Sequence, residues 1–423
     1  MKTSLLSHPP ALLGGTPAPK HAFPAWPVFD GADEQRVLRA VRSGQWGKLS
    51  GTEVAEFEQR FAAMHGAKFG IGVVNGTVSL RLALMAAGIR EEDEVVVPPY
   101  TFLASATAVV EANAIPVFAD VELDTFNLDP KAVEAAITPR TRAIIVVHLG
   151  GLPANMDAIM AIAKKHQLTV IEDAAHAHAA VYKGTPVGAI GHMGSFSFQS
   201  SKNLTAGEGG LITTNDAALA EICVTLHNCG RRKTGPWYEH HTISANYRLG
   251  ELQGALLNSQ LDRLEAQTNL RDENGRHLDR RLSKIPGIHP QKRDAACTRH
   301  AYHLYPFRID AAQFGLPRDV VLRALDAEGV PASGGYPLPL YRQPLFLNKA
   351  FGPYLNGALA RLDYGKVKNP NCETICYQQG AWFGQAHFLG TRADMDVIAD
   401  AFERIHEHRG ALRDWAARNP TKS

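Results

Sequence analysis

Cysteine is scarce in this sequence. The chain of 423 residues has five cysteines, an odd number, and no two of them stand at Cys-x-x-Cys spacing. This set argues against a disulfide framework of the kind that stabilises small secreted proteins, and it provides no zinc-binding motif. We therefore predict a protein of the reducing cytoplasm that holds no metal ion.

Long hydrophobic runs are also missing. No window approaches the roughly 18 to 20 consecutive apolar residues that a membrane-spanning helix needs. Near the N-terminus, Pro9 and Pro10 interrupt the leucines well before they reach the length of a secretory signal. We expect neither a membrane-spanning segment nor an export signal.

Neither sign of charge dominates the sequence. The chain has 44 Lys and Arg residues against 42 Asp and Glu residues, which gives a formal net charge of +2. Without a strong overall field, neither nucleic acid nor an anionic membrane is an expected partner. The partner must therefore be inferred from a local site, and a small molecule is the class that we expect.

Short β-branched runs alternate with helical patterns through the first two thirds of the chain. Runs such as "DEVVVPP", "TRAIIVVHL" and "LTVIEDAA" are separated by helical stretches such as "MDAIMAIAKKH". This order predicts an α/β fold, with a mostly parallel sheet and helices on both of its faces. We predict an N-terminal segment at 1–27, a large α/β domain at 28–285 and a small α+β domain at 286–423.

Two predicted strand-to-helix turns could contribute to a binding site. In "VVNGTVSL", the free N–H groups around Gly76 and the hydroxyl of Thr77 could bind an anion at the start of a helix. An ordinary turn with a threonine cap explains the same residues when they are taken alone. In "PPYTFLAS", Tyr100 and Phe102 taken alone favour packing over contact with a cofactor.

The stretch "VIEDAAHAH" brings Glu172 and Asp173 to the end of a buried strand. Ligands of open α/β sheets bind at the carboxyl ends of the strands, and a carboxylate there needs a cationic partner. The alternative is a cap for the following helix. His176 and His178 stand two residues apart, which does not place both on one helix face, so we expect no zinc pair.

A single lysine, Lys202, stands in the stretch "SFSFQSSKNLTAGEGG". The alternation of polar residues with Phe196 and Phe198 predicts a strand before it, and small residues with one charge, Glu208, follow it. A surface lysine is the ordinary interpretation. Burial of the loop would instead lower the pKa of the amine, which is the condition for Schiff-base chemistry.

The four stretches together supply what pyridoxal 5′-phosphate requires. Its phosphate needs backbone donors, its ring needs an aromatic neighbour, its pyridine nitrogen needs an acid, and its aldehyde needs an amine. We therefore predict pyridoxal 5′-phosphate as the cofactor.

The order of these motifs resembles the DegT/StrS family of pyridoxal-phosphate aminotransferases, which aminate keto sugars and keto cyclitols. "NGT", "PPYTF", "EDAAHAH", "SFSFQSSKNLTAGEGG" and "NYRLGELQGALL" occur in the family's order, between about Phe23 and Glu407. Within the family, "FPAWP" and "GQW" look similar to 3-amino-5-hydroxybenzoate synthases and inosose aminotransferases. The resemblance implies the fold type I architecture of a large and a small domain.

The resemblance also implies roles for individual residues. Lys202 is the residue that forms the aldimine with the cofactor, and Asp173 is the partner of the pyridine nitrogen. The resemblance further implies a homodimer with shared active sites, in which Asn246 reaches the cofactor phosphate of the neighbouring subunit. The other implied cofactor contacts are Gly76, Thr77, Phe102, His176, Ser197 and Gln199.

The activity implied by the resemblance is ping-pong transfer of an amino group from glutamine or glutamate to a keto cyclitol or keto sugar. Gln199 stands where nucleotide-sugar members commonly have histidine or tyrosine, which favours an uncharged cyclitol. The alternatives are an aminodehydratase similar to aminohydroxybenzoate synthases, a nucleotide-sugar aminotransferase and, remotely, a non-catalytic regulator with the same fold. The candidate contacts to the acceptor are His148, Arg231 and Tyr336.

Overall fold

Thirteen strands are present in the computed structural model, which describes residues 8–18 and 21–420. Their buried runs are rich in valine and isoleucine, which is typical of strands covered on both faces. In chain order they are β1 Phe69–Val73, β2 Glu94–Val97, β3 Ile115–Phe118, β4 Thr141–Val147, β5 Thr169–Asp173, β6 Val181–Tyr182, β7 Thr185–Pro186, β8 Met193–Ser197, β9 Gly210–Thr214, β10 Ile288–Pro290, β11 Cys297–Arg299, β12 Leu304–Ile309 and β13 Gly380–Gly384.

The largest sheet has seven strands in the order β1-β9-β8-β5-β4-β2-β3. Strands β2, β3, β4, β5 and β8 run parallel to one another. Strand β9 runs antiparallel to both of its neighbours, β1 and β8. Val95 and Val97 pack into one hydrophobic cluster, whereas Val96 packs into another on the opposite face. The predicted α/β class with a mostly parallel, doubly covered sheet is confirmed.

The helices occupy both faces of this sheet and continue into the C-terminal part of the chain. The longest of them, α8 (Glu251–Leu282), has 32 residues and contains no proline, so nothing in its sequence interrupts it. The α-helices are α1 Gly31–Ser43, α2 Glu53–Met64, α3 Gly76–Ala86, α4 Ala104–Glu111, α5 Pro130–Ala136, α6 Met156–His166, α7 Ala217–His227, α8 Glu251–Leu282, α9 Ala311–Phe314, α10 Arg318–Ala327, α11 Pro344–Leu347, α12 Gly357–Arg361, α13 Pro370–Thr374, α14 Arg392–Glu407 and α15 Arg409–Arg418.

Shorter helical turns complete the secondary structure. A π-helical turn covers Ile375–Gln379, directly after α13. The 3₁₀ turns are Ala11–Leu13, Leu149–Gly151, Leu340–Arg342, Gly352–Tyr354, Tyr364–Lys366 and Gln385–Leu389.

The register of the large sheet places several strand ends side by side. Asp173 at the end of β5 pairs with Val147 of β4 and with Ser195 of β8. In the same region Gly210, the first residue of β9, pairs with both Ser197 and Val73. Helix α3 begins three residues after Val73, so its N-terminus lies at the same edge as these strand ends.

The second half of the chain forms a smaller antiparallel sheet in the order β10-β12-β13. Its hydrophobic cluster includes residues of α10 and α14 and of β12 and β13. Helix α14 begins with a capping box in which the side chains of Thr391 and Asp394 each accept a backbone N–H of the other. A third small sheet has the order β11-β6-β7.

Packing connects segments that are distant in the chain. Leu12, Leu13 and Phe23 pack against the cluster of the small sheet. Residues between Leu340 and Cys376 pack into a cluster of the large sheet. The boundaries 1–27, 28–285 and 286–423 stay predictions. None of the helices described in residues 8–18 and 21–420 combines the length and apolar character needed to cross a membrane.

Candidate active site

A cavity of about 540 Å³ opens where the strand ends of the large sheet meet the N-terminus of α3. This is the edge at which open α/β sheets bind ligands. Nine of the residues singled out in the sequence line the cavity, namely Gly76, Thr77, Phe102, Asp173, His176, Ser197, Gln199, Lys202 and Tyr336. The structure thus brings the four sequence stretches together, while the role of each residue stays a prediction.

Asp173 presents a buried carboxylate to the cavity. Its side chain is held by the Ser105 hydroxyl, which donates to Oδ2 at 2.7 Å, and by the backbone N–H of Ala175, which donates to Oδ1 at 3.3 Å. Burial raises the pKa of Asp173, while these two hydrogen bonds and the charge of Lys202 act in the opposite direction. A cationic ligand atom beside Asp173 would favour the charged carboxylate further.

His148 and Glu172 form a hydrogen-bonded pair with no exposure to solvent. The N–H of Ala154 donates to Nδ1 of His148 at 3.0 Å, so the proton is on Nε2, which lies 3.0 Å from Oε2 of Glu172. Both ring nitrogens of His148 are thus used inside the protein, and His148 does not line the cavity. Its backbone N–H donates to the Asp173 carbonyl at 3.2 Å, which supports the end of β5.

Lys202 lies in the turn after β8 and lines the same cavity as Asp173. Burial lowers the pKa of Lys202 from 10.5 to about 8, although the charge of Asp173 acts to raise it. Within the turn, Oε1 of Gln199 accepts hydrogen bonds from the backbone N–H and the hydroxyl of Ser201, at 2.9 and 2.7 Å. An amine with such a pKa is partly unprotonated near neutral pH.

The turn of Lys202 is also held from outside. The indole Nε1 of Trp26 donates to the backbone carbonyl of Ser200 at 2.9 Å. Trp26 belongs to the segment that precedes α1, so an N-terminal residue supports the loop two residues before the lysine.

The start of α3 forms a cradle for an anion. Asn75 caps the helix by accepting the N–H of Val78 at 2.9 Å, and the N–H groups of a helix's first turn have no acceptor within the helix. A Cβ atom at Gly76 would lie 2.7 Å from Cβ of Ser197, and one at Gly210 would lie 2.4 Å from the Asn75 backbone. Only glycine at these two positions permits the close approach of α3 to β8 and β9.

Aromatic side chains form another wall of the cavity. Phe102 is 62% exposed, whereas Tyr100 is 1% exposed and packs edge-on against Tyr336 and Trp382. The rings of Tyr336 and Trp382 meet edge to face with centroids 4.9 Å apart. Of the two aromatic residues noted in "PPYTFLAS", Phe102 is available to a ligand and Tyr100 belongs to the core.

His303 and Trp382 line the cavity but were not singled out in the sequence. His303 immediately precedes β12, and Trp382 lies in β13, so both come from the small sheet. The sequence "YHLYPFRI" indicates a strand. Its local pattern does not show that His303 lines a cavity most of whose other residues lie about a hundred positions or more earlier in the chain. Only the packing of the two sheets reveals this contribution.

Asn246 and Arg231 lie outside this cavity. Asn246 is exposed, and its Oδ1 accepts the N–H of Arg248 at 3.3 Å. Nη2 of Arg231 donates to Oδ1 of Asn228 at 3.2 Å. The described residues contain no group of three or more His, Cys, Asp or Glu side chains that could hold a metal ion.

Comparison with known proteins identifies relatives along nearly the whole chain. The model of the DegT/DnrJ/EryC1/StrS aminotransferase family matches residues 29–359. A putative L-glutamine:3-amino-2,3-dideoxy-scyllo-inosose aminotransferase of Streptoalloteichus tenebrarius is 39% identical over 417 residues, which cover 95% of this chain and 99% of that protein. An L-glutamine:2-deoxy-scyllo-inosose aminotransferase of the same organism is 37% identical and covers 95% of this chain and 99% of its own.

A solved structure shows the same fold. The crystal structure of 3-amino-5-hydroxybenzoic acid synthase superposes with a TM-score of 0.80 and 36% sequence identity, over 90% of this chain and 97% of that one.

Proposed function

The chain belongs to the DegT/DnrJ/EryC1/StrS aminotransferase family, and on this premise we propose that it transfers the amino group of glutamine to the keto group of an uncharged cyclitol, with pyridoxal 5′-phosphate as cofactor. The predictions of this family, of fold type I and of an aminotransferase are confirmed. The observation that carries the proposal is that Lys202 and Asp173 face one cavity, beside an anion cradle.

The residues present fit pyridoxal 5′-phosphate. Glycine at position 76 lets the backbone donors at the start of α3 lie directly beside the Ser197 side chain at the cavity, an arrangement that a Cβ there would push apart and that suits a phosphate. The buried carboxylate of Asp173 suits a protonated ring nitrogen, and the lowered pKa of Lys202 suits imine formation with an aldehyde. Phe102 is exposed at the cavity and can cover a ring.

The chemistry divides between the cofactor and the chain. When bound, pyridoxal 5′-phosphate accepts the electron pair that the amino donor releases when it loses its α-proton. The Lys202 amine is the base that takes this proton from the α-carbon and returns a proton in the second half of the reaction. Asp173, held by Ser105 and Ala175, keeps a proton on the heterocyclic nitrogen. The aromatic wall of Tyr336 and Trp382 excludes water from one side.

The charge of the cavity supports an uncharged acceptor. Among the described residues that line it, Lys202 is the one Lys or Arg, and Asp173 and Glu208 are acidic. A nucleotide diphosphate brings about two negative charges and is typically bound by arginine or lysine. The basic run from Arg231 to Lys233 is outside the cavity of its own chain.

The test compares acceptors with glutamine in excess. Purified protein with pyridoxal 5′-phosphate is given 2-deoxy-scyllo-inosose or a nucleotide diphosphate keto sugar, and the aminated products are measured by mass spectrometry. We expect kcat/KM to be at least about tenfold higher for the cyclitol, a difference of ~1.4 kcal/mol in activation free energy. A preference for the nucleotide substrate that is lost in Arg231→Ala would overturn the proposal. Lys202→Ala controls for uncatalysed imine exchange.

A second candidate is an aminodehydratase, because 3-amino-5-hydroxybenzoic acid synthase is nearly as similar as the inosose enzymes. The same lysine could remove the proton that precedes loss of water from a cyclic acceptor. An aromatic amine among the products, recognised by its near-ultraviolet absorption, would favour this alternative.

We further propose a cytoplasmic homodimer in which Asn246 serves the active site of the other subunit. Asn246 is exposed outside the cavity of its own chain, and the loop before it exposes Trp237, Tyr238 and Ile243, which a partner subunit would cover. All five cysteines are free, in keeping with a reducing compartment.

A further inference from the structure

Two histidine rings meet at the wall of the cavity. His176 follows β5 and His303 precedes β12, yet their ring centroids are 4.3 Å apart with the planes tilted by 39°. Both side chains are buried and both line the cavity. The pair thus joins the large sheet to the small sheet beside Lys202.

Hydrogen bonds determine which nitrogen of His303 carries the proton. Nδ2 of Asn203 donates to the Ala301 carbonyl at 2.7 Å, so its Oδ1 is the atom that faces Nδ1 of His303, at 3.2 Å. An amide oxygen only accepts, and therefore Nδ1 is protonated, so that in a neutral ring Nε2 keeps its lone pair. Within residues 8–18 and 21–420, Nε2 of His303 has no hydrogen-bond partner.

His176 has the opposite arrangement. The backbone N–H of Gly150 donates to Nδ1 of His176 at 3.3 Å, which leaves the proton on Nε2. The histidine pair therefore offers one donor, from His176, and one acceptor, from His303.

The surroundings of both rings favour the neutral form. Burial is the main cause that lowers the pKa of each far below 6.5, and the charge of Lys202 lowers both further. A carboxylate or phosphate would place its lone pairs against the lone pair of His303 Nε2. A hydroxyl group, which can donate there, matches it.

We infer that Nε2 of His303 accepts a hydrogen bond from a hydroxyl group of the keto acceptor, which makes His303 a specificity-determining residue; the inference rests on the proposed amination of a cyclitol. Asn203 directly follows Lys202, so the same short segment carries the reacting amine and orients the ring that recognises the acceptor. Glutamine has no hydroxyl group, so this contact is assigned to the keto acceptor and not to the amino donor.

The test separates the two half-reactions. His303→Phe keeps an aromatic ring against His176 but removes the acceptor atom, and His303→Gln restores an acceptor near the position of Nε2. With 2-deoxy-scyllo-inosose as acceptor, we expect His303→Phe to raise KM by about tenfold, the loss of one hydrogen bond to a buried partner, and His303→Gln to recover most of it. The rate of the half-reaction with glutamine, followed by the cofactor absorbance, should change less than about twofold.

Acceptor analogues that each lack one hydroxyl identify the partner. For the analogue without the recognised hydroxyl, wild-type protein and His303→Phe should have the same KM, because neither can form the hydrogen bond. If KM is unchanged in His303→Phe, or if only the rate of the glutamine half-reaction falls, the inference is overturned while the proposed function stands. A wild-type protein that aminates no keto cyclitol overturns the proposed function and this inference with it.

Discussion

The hydroxyl of Ser105 and the carboxylate of Asp173 are joined by a hydrogen bond of 2.7 Å, between helix α4 and the end of strand β5. Both residues are buried, and Asp173 lines the cavity. In a site of low polarity, a hydroxyl donor favours the charged form of its carboxylate partner. Ser105 therefore favours the charged form of Asp173, the residue that we propose as the partner of the ring nitrogen.

Ser105→Ala should slow the half-reaction with glutamine by about tenfold, because the carboxylate of Asp173 loses a donor and its pKa rises further. Stopped-flow absorbance of the cofactor measures this rate. Thr107→Ala is the matched control, since the Thr107 hydroxyl lies on the same helix and donates only to the Leu103 carbonyl, at 3.2 Å. Equal losses in the two variants would contradict the assignment.

Asp173→Asn should leave the protein folded and slow the removal of the donor's α-proton by about a hundredfold or more. The neutral amide cannot hold a proton on the ring nitrogen, so the released electron pair is poorly stabilised. The glutamine half-reaction gives the rate and a thermal melt checks the fold. A half-reaction at nearly the wild-type rate would exclude this role for Asp173.

Lys202→Ala should abolish transamination while the melting temperature stays close to that of the wild type. The borohydride-reducible adduct with pyridoxal 5′-phosphate, detected by mass spectrometry of the peptides, should disappear. Lys183→Ala is the control, because that lysine is exposed and pairs with Asp157 at the surface. Retention of the adduct in Lys202→Ala would assign the imine to another residue.

The pKa of about 8 predicts how the cofactor-free protein reacts with an amine-directed reagent. Below pH 8 the Lys202 amine is mostly protonated and unreactive, and its labelling by trinitrobenzenesulfonate should rise between pH 7 and 9 and then level off. Surface lysines should still gain reactivity above pH 9. In Asp173→Asn the midpoint should move below 8, because the charge of Asp173 raises the pKa of Lys202. A midpoint near 10.5 would contradict the burial of the amine.

Subunit mixing tests whether Asn246 acts across a dimer. Asn246→Ala alone should retain cofactor poorly and be inactive when no cofactor is added to the assay, and Lys202→Ala alone should be inactive. If the two inactive variants are unfolded and refolded together, mixed dimers contain one intact site, and activity should return to about a quarter of the wild-type value. No recovery would mean that Asn246 serves its own subunit.

Local patterns predicted the sheet, and together with the family resemblance they singled out nine residues that line the cavity, because strand ends and glycine turns have short-range signatures. The same signatures could not separate Asp173 from His148. Each is a polar residue at the end of an apolar run. Asp173 lines the cavity, whereas both ring nitrogens of His148 form hydrogen bonds with Glu172 and Ala154. Which way a side chain points depends on its neighbours across the sheet, and these come from other parts of the chain.

His303 shows a second limit of sequence interpretation. Its position in the site depends on Asn203, which orients its ring, and on His176, whose tilted ring packs against it. The partners lie 100 and 127 positions away in the sequence, and no periodicity spans that distance. Tertiary contacts of this kind are set by how the small sheet packs on the large one.

The hydrogen bond from Trp26 to the Ser200 carbonyl has a consequence for protein engineering. The stretch before α1 would ordinarily be exchanged or trimmed freely when chimeras of related enzymes are built. Here that stretch supports the turn of Lys202, the residue that we propose to react, so a chimera that replaces the stretch also alters that turn. The junction between two such parents is better placed before Trp26 or after the turn of Lys202, so that Trp26 and Ser200 come from the same parent.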